Sequence, residues 1–126
     1  MTDDDITDII IGQAIRIHRL LGPGLFEQVY ESALAISLEK QGLGVARQVV
    51  LPIEFEGVTL DVAYRLDMLI EDRVILEIKA QEKSHPVHAR QLLTYLRLKK
   101  RRVGLVLNFG KERLLDGVER VVNGYT

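Results

Sequence analysis

The alternation of apolar residues between Val49 and Ala80 constrains this chain more than any other feature. From Val49 to Phe55 the apolar positions are odd (Val49, Leu51, Ile53, Phe55). From Val58 to Ile70 they are even (Val58, Leu60, Val62, Tyr64, Leu66, Met68, Ile70), and from Val74 to Ala80 they are even again (Val74, Leu76, Ile78, Ala80). A period of two is the period of a strand, so three strands follow one another. Paired residues of an antiparallel ladder share a face, and parity therefore fixes register. The first pair must join odd to even, which the two-residue turn Glu56-Gly57 provides by setting Phe55 against Val58. The second must join even to even across an odd loop, and Glu71-Asp72-Arg73 fits by setting Ile70 against Val74. Counting back places Asp67 opposite Glu77 on the less apolar face, with Lys79 two residues further along the same strand.

The flanking segments read as helices. Ile6, Ile9, Ile10, Ile17, Leu20 and Leu21 recur near helical spacing and predict a first helix over roughly Thr7 to Leu21, stopped by Gly22. Asp3 to Asp5 stand before it as a loose acidic tail. Gly22-Pro23-Gly24 breaks the chain. A second helix is expected over about Phe26 to Lys40, with Val29, Ala33, Leu34, Ile36 and Leu38 as its apolar contacts and Gly42 at its end. After the three strands, Ser84 or His85 caps a third helix with Pro86 in its first turn and Leu92, Leu93 and Leu96 on its core face. Val103 to Phe109 is a nearly continuous apolar run. It reads as a buried strand parallel to a neighbour, because a helix precedes it. Val118 to Val122 adds an edge strand.

Bulk properties narrow the function. A chain of 126 residues holds one domain, taken as 1–126. A formal net charge of −1 excludes a strongly basic coat for nucleic acid, although Lys99-Lys100-Arg101-Arg102 forms a local basic run at the end of the third helix. The absence of cysteine excludes disulfides and thiolate metal sites and fits the cytoplasm. The acidic N-terminus is unlike a signal peptide, and no apolar run is long enough to cross a bilayer, so no membrane partner is expected.

Two carboxylates facing each other across a ladder repel, so Asp67 and Glu77 need compensation. Lys79 supplies part of it, and a cross-strand salt bridge on a solvated surface explains most isolated patterns of this kind. A hard divalent cation compensates better, since Mg²⁺ takes one or two carboxylates and fills its shell with water and phosphate. Lys79 beside it would orient a water or stabilise developing charge. Elsewhere, Glu27 suits the positive end of its helix, and Tyr30 is either a core aromatic or a neighbour of Glu27 on the same side. Gln91 and Tyr95 form an i, i+4 pair with His88 one turn before, a polar stripe that surface solvation also explains. His18 and His85 have no partner spacing and read as structural or surface residues.

Asp67 followed by Glu77-x-Lys79 on consecutive strands resembles the PD-(D/E)XK nuclease superfamily, with Leu66 where the eponymous proline would stand. The order of elements from the second helix to Phe109 resembles the αβββαβ core of that superfamily. Gly24-Leu25-Phe26-Glu27-Gln28-Val29-Tyr30 is similar to the GxxExxY signature of a family of small bacterial proteins within it. Gln91-Leu92-Leu93-Thr94-Tyr95 resembles the QxxxY motif of the branch related to recombination helicase-nucleases.

The resemblance implies a restriction-endonuclease-like α/β fold, a mixed sheet flanked by helices with one extra N-terminal helix. It implies a nuclease that uses Mg²⁺ or Mn²⁺, with Glu27, Asp67 and Glu77 near the metal and Lys79 beside the attacking water. Gln91, Tyr95 and Tyr30 would then position substrate or support the ligands. The expected substrate is nucleic acid, DNA before RNA, recognised by structure or backbone, with a homodimer or a protein partner adding surface. The alternative is a nuclease fold serving as a non-catalytic binding or regulatory module.

Overall fold

The computed structural model describes residues 1–124. Among these residues three helices and five strands follow in the order α1 (Asp3–Leu21), α2 (Glu27–Lys40), β1 (Val45–Phe55), β2 (Val58–Ile70), β3 (Val74–Lys79), α3 (Pro86–Lys99), β4 (Val103–Asn108) and β5 (Val118–Val122), with a short 3₁₀ turn at Leu114–Gly117. One sheet holds all five strands in chain order; β3 and β4 are parallel and the other neighbours antiparallel. This is the mixed α/β architecture expected of a restriction-endonuclease-like fold. None of the helices is long and apolar enough to cross a membrane, among the described residues.

The register follows the parity argument. Phe55 pairs with Val58 across Glu56 and Gly57, both at positive φ as a two-residue hairpin turn requires. Ile70 pairs with Val74 across the three-residue loop, where Glu71 and Asp72 take positive φ and the Arg73 amide donates to the Ile70 carbonyl.

Two cores lie on opposite sides of the sheet. On one side Ile6, Ile10 and Ile17 of α1 and Tyr30, Leu34 and Leu38 of α2 pack on Met68, Ile70, Leu76, Ile78, Leu105 and Leu107. On the other, Leu92, Tyr95 and Leu96 of α3 pack on Leu51, Leu66, Leu69, Ile75 and Val106. Gly104 permits the close approach of α3, because a Cβ there would stand 2.8 Å from Leu92 and 2.9 Å from the Ile75 carbonyl. β3 and β4 are thus covered on both faces, and the less apolar face of β3, with Ile75, Glu77 and the half-buried Lys79, is covered too rather than turned to solvent.

Several expectations are corrected. α1 starts at Asp3, and Asp3 to Asp5 are its first turn rather than a loose tail. Thr2 accepts from the Asp5 amide while Asp5 accepts from the Thr2 amide, a capping box, and Asp3 and Asp4 pair with Arg73 at 2.9 Å and Arg120 at 2.6 Å. On α2 the buried face is Tyr30, Glu31, Leu34, Ala35, Ser37 and Leu38, whereas Val29 and Ile36 face solvent. On α3 Tyr95 rather than Leu93 joins the core. β1 begins four residues before Val49. The outer half of the β1–β2 hairpin extends beyond the core, and every residue from Val58 to Arg65 is exposed.

Candidate active site

The site forms where β2 parts from β3. Their ladder comprises Met68–Leu76, Leu69–Ile75 and Ile70–Val74, and the same register continued sets Asp67 opposite Glu77. There the two carboxylates replace the ladder. Glu77 Oε2 accepts from the Asp67 amide at 3.0 Å, and Asp67 Oδ2 accepts from the Ile78 amide at 2.8 Å. Each acid is thereby held by the backbone of the opposite strand, which fixes both carboxylates side by side.

The alternation of β2 breaks at the same point. Leu66 and Met68 are both even, yet Leu66 packs in the α3-side core and Met68 in the α1–α2-side core. β1 shows why. Gln48 stands between the pairs Arg47–Met68 and Val49–Leu66, opposite Asp67, and adopts φ +52°. A left-handed glutamine costs on the order of 1 kcal/mol, so its surroundings must hold it.

Electrostatics mark the pair as undercompensated. Burial, then the neighbouring Asp67 carboxylate, pushes Glu77 up to about 8, although the Asp67 amide and Lys79 act the other way. Asp67 is also raised, mainly by burial and further by the charges of Glu31 and Glu27, against the Ile78 amide and Lys79. Lys79 therefore lies within reach of both acids, on β3 as its parity requires, yet among the described residues it makes no ion pair within 4 Å.

The remaining expected residues fall into separate places. Glu27 is the first residue of α2 and is exposed; with Phe26 and Ala80 it lines a cleft at the far end of β3. Tyr95 is buried on α3, tilted against Tyr64 with ring centroids 5.2 Å apart. Burial raises its phenol, and the charges of Glu77 and Asp67 add to the effect. Gln91 is exposed on the preceding turn. Tyr30 is wholly buried, stacked on Phe109 at 4.5 Å, and its hydroxyl donates to the Gly22 carbonyl and accepts from the Leu25 amide at 3.1 Å. Tyr30 thus secures the loop that leads into Glu27, and neither of its hydrogen bonds goes to an acid. His88 bonds to Gln81 at 3.1 Å, and burial followed by the charge of Lys79 lowers its pKa.

One acid escaped the sequence reading. Glu31 is only 6% exposed, one turn beyond Glu27, and its charge reaches both Asp67 and Glu77. A signal was present: Tyr30, Leu34 and Leu38 repeat every four residues, and Glu31 stands beside that row, three residues before Leu34 and seven before Leu38.

Among the described residues, no three histidine, aspartate or glutamate side chains converge as a metal-binding group. The donor set of Asp67 and Glu77 nevertheless fits a hard divalent cation. It consists of carboxylate oxygens, it is held rigidly, and it lacks the positive charge that would keep both acids ionised. Residues 4–121 match the family model described as the PD-(D/E)XK nuclease superfamily. No curated protein matches the chain, and no solved structure does. The family match covers nearly the whole fold, from the first turn of α1 into β5, and includes every acid placed around the opening between β2 and β3. The chain belongs to the PD-(D/E)XK nuclease superfamily.

Proposed function

We propose that the protein is a metal-dependent nuclease that hydrolyses phosphodiester bonds, of DNA before RNA, with Mg²⁺ or Mn²⁺. The observation that carries this reading is the rigid, undercompensated Asp67–Glu77 pair with Lys79 beside it. Asp67 and Glu77 would hold a divalent cation, whose chemistry when bound is to polarise a phosphate oxygen and acidify a water. Lys79 would offer its ammonium to the attacking water or to the charge that develops on the phosphate. Glu27, at the mouth of the cleft, adds negative charge on the solvent side. Tyr95, whose phenol feels the charges of Glu77 and Asp67, and the exposed Gln91 one turn before it would position substrate or support the ligands.

Among the described residues there is no recognition helix and no ribbon rich in basic side chains, so the substrate would be chosen by backbone or structure. A small surface around the site suits a homodimer or a protein partner, and the GxxExxY-like loop and the lack of cysteine accord with a cytoplasmic bacterial setting.

Incubation of the purified chain with single-stranded, duplex and branched DNA in Mn²⁺ or Mg²⁺ should give cleavage. Asp67→Asn and Lys79→Met should each lower its rate by about 100-fold or more. Equal, negligible cleavage by wild type and both variants would instead favour a non-catalytic binding module.

A further inference from the structure

Glu31 has a more specific place than its burial alone suggests. Its Oε2 accepts from Arg47 Nε at 2.9 Å, and its Oε1 accepts from Gln48 Nε2 at 3.0 Å. Arg47 also donates to Ser32 Oγ at 3.0 Å. Both partners stand on β1 directly beside Asp67, because Arg47 pairs with Met68 and Gln48 lies opposite Asp67 itself. Asp67 is therefore flanked on its β3 side by Glu77 and on its β1 side by the strained Gln48 that Glu31 holds. The ion pair is lopsided: the Glu31 side chain is 8% exposed and that of Arg47 41%. The acid is fixed within the fold, and the arginine reaches it from solvent.

We propose that Glu31 is a charge-bearing member of the cation site and that Arg47 is its exchangeable counter-ion, released when a divalent cation occupies the Asp67–Glu77 pair. This rests on the reading of that pair as a cation site. The physical reason is charge. The charge of Glu31 is felt by both Asp67 and Glu77, Lys79 is the other cation whose charge reaches the pair, and a buried carboxylate needs a partner. Arg47 supplies one in the absence of metal at little cost, since its guanidinium can return to water. A divalent ion beside Asp67 would compensate Glu31 through space and repel Arg47. Glu31 then acts on the site by its charge and by holding Gln48 against Asp67, and it is a positioning residue.

The two roles separate in the sign of their effects on Mn²⁺ binding, followed by titration of the full chain at low ionic strength with electron paramagnetic resonance. Asp67→Asn should abolish binding, Glu31→Gln should weaken it about 10-fold, and Arg47→Gln should tighten it about threefold. In wild type, a Mg²⁺ titration should shift the Arg47 Nε–H resonance towards that of a solvated guanidinium. That readout needs no variant to fold. Loss of binding in Asp67→Asn with Glu31→Gln within about twofold of wild type would overturn this inference alone. So would Arg47→Gln weakening the affinity as Glu31→Gln does, or an Arg47 signal unmoved by saturating Mg²⁺. Wild type without Mn²⁺ affinity, or Asp67→Asn binding as wild type does, would overturn the cation site beneath it.

Discussion

Glu77 carries a pH dependence whose sign follows from its surroundings. Its carboxyl is raised from an ordinary 4.5 to about 8, so the native state binds a proton that the unfolded chain releases over that interval. Stability contributed by this group is therefore full below about pH 4.5 and declines as pH rises towards 8, and Asp67 acts with the same sign. Urea midpoints measured without divalent ions should fall between pH 5 and pH 8.5. Glu77→Gln should flatten that fall and raise the midpoint at the alkaline end. Saturating Mg²⁺ should flatten it in wild type as well, because a cation replaces the proton. At this scale the sequence was informative where strand parity applied. Asp67, Glu77 and Lys79 were brought to one place by counting alone. For Glu31 spacing marked only an inward-facing position beside Tyr30, Leu34 and Leu38; its contacts with Arg47 and Gln48 lie 16 and 17 positions away. The sequence also pointed Tyr30 equally towards core and site, since spacing places a tyrosine on a helix face without saying what that face meets.

Among the elements, the strands were the most legible. β2 was bounded at both ends by its pattern, and both hairpin turns were readable from their length and from glycine or odd count. The helices were less so. α2 buries Leu34 and Leu38 as its pattern predicts, but it also hides Glu31 and Ser37 while exposing Val29 and Ile36. The two polar residues find partners on neighbouring elements, Ser37 with Arg16 and Gln13 of α1 and Glu31 with Arg47 and Gln48 of β1. α1 illustrates the same limit at its start, where three successive aspartates look like a solvated tail. The capping box and the ion pairs to Arg73 and Arg120 anchor them as the first turn of that helix. Thr2→Ala removes the side-chain acceptor of the Asp5 amide and should cost about 1 kcal/mol in chemical denaturation, with no effect on Mn²⁺ binding.

On the scale of the whole molecule, the sheet is divided. β3 and β4 lie between two helical layers, and the acidic site sits where β2 passes from one core to the other. Beyond it the β1–β2 hairpin projects with Phe55, Val58, Val62 and Tyr64 from 47% to 66% exposed. An apolar strip of this kind is unusual for a folded monomer. Hydrophobic dyes that normally report partial unfolding should therefore bind the native protein. Anilinonaphthalene sulfonate fluorescence should be elevated at 20 °C while near-ultraviolet circular dichroism remains that of a packed core, and Val58→Thr with Val62→Thr should reduce it. Dye-based melting curves would then begin from a high baseline, and circular dichroism or calorimetry becomes the sounder gauge of this fold's stability.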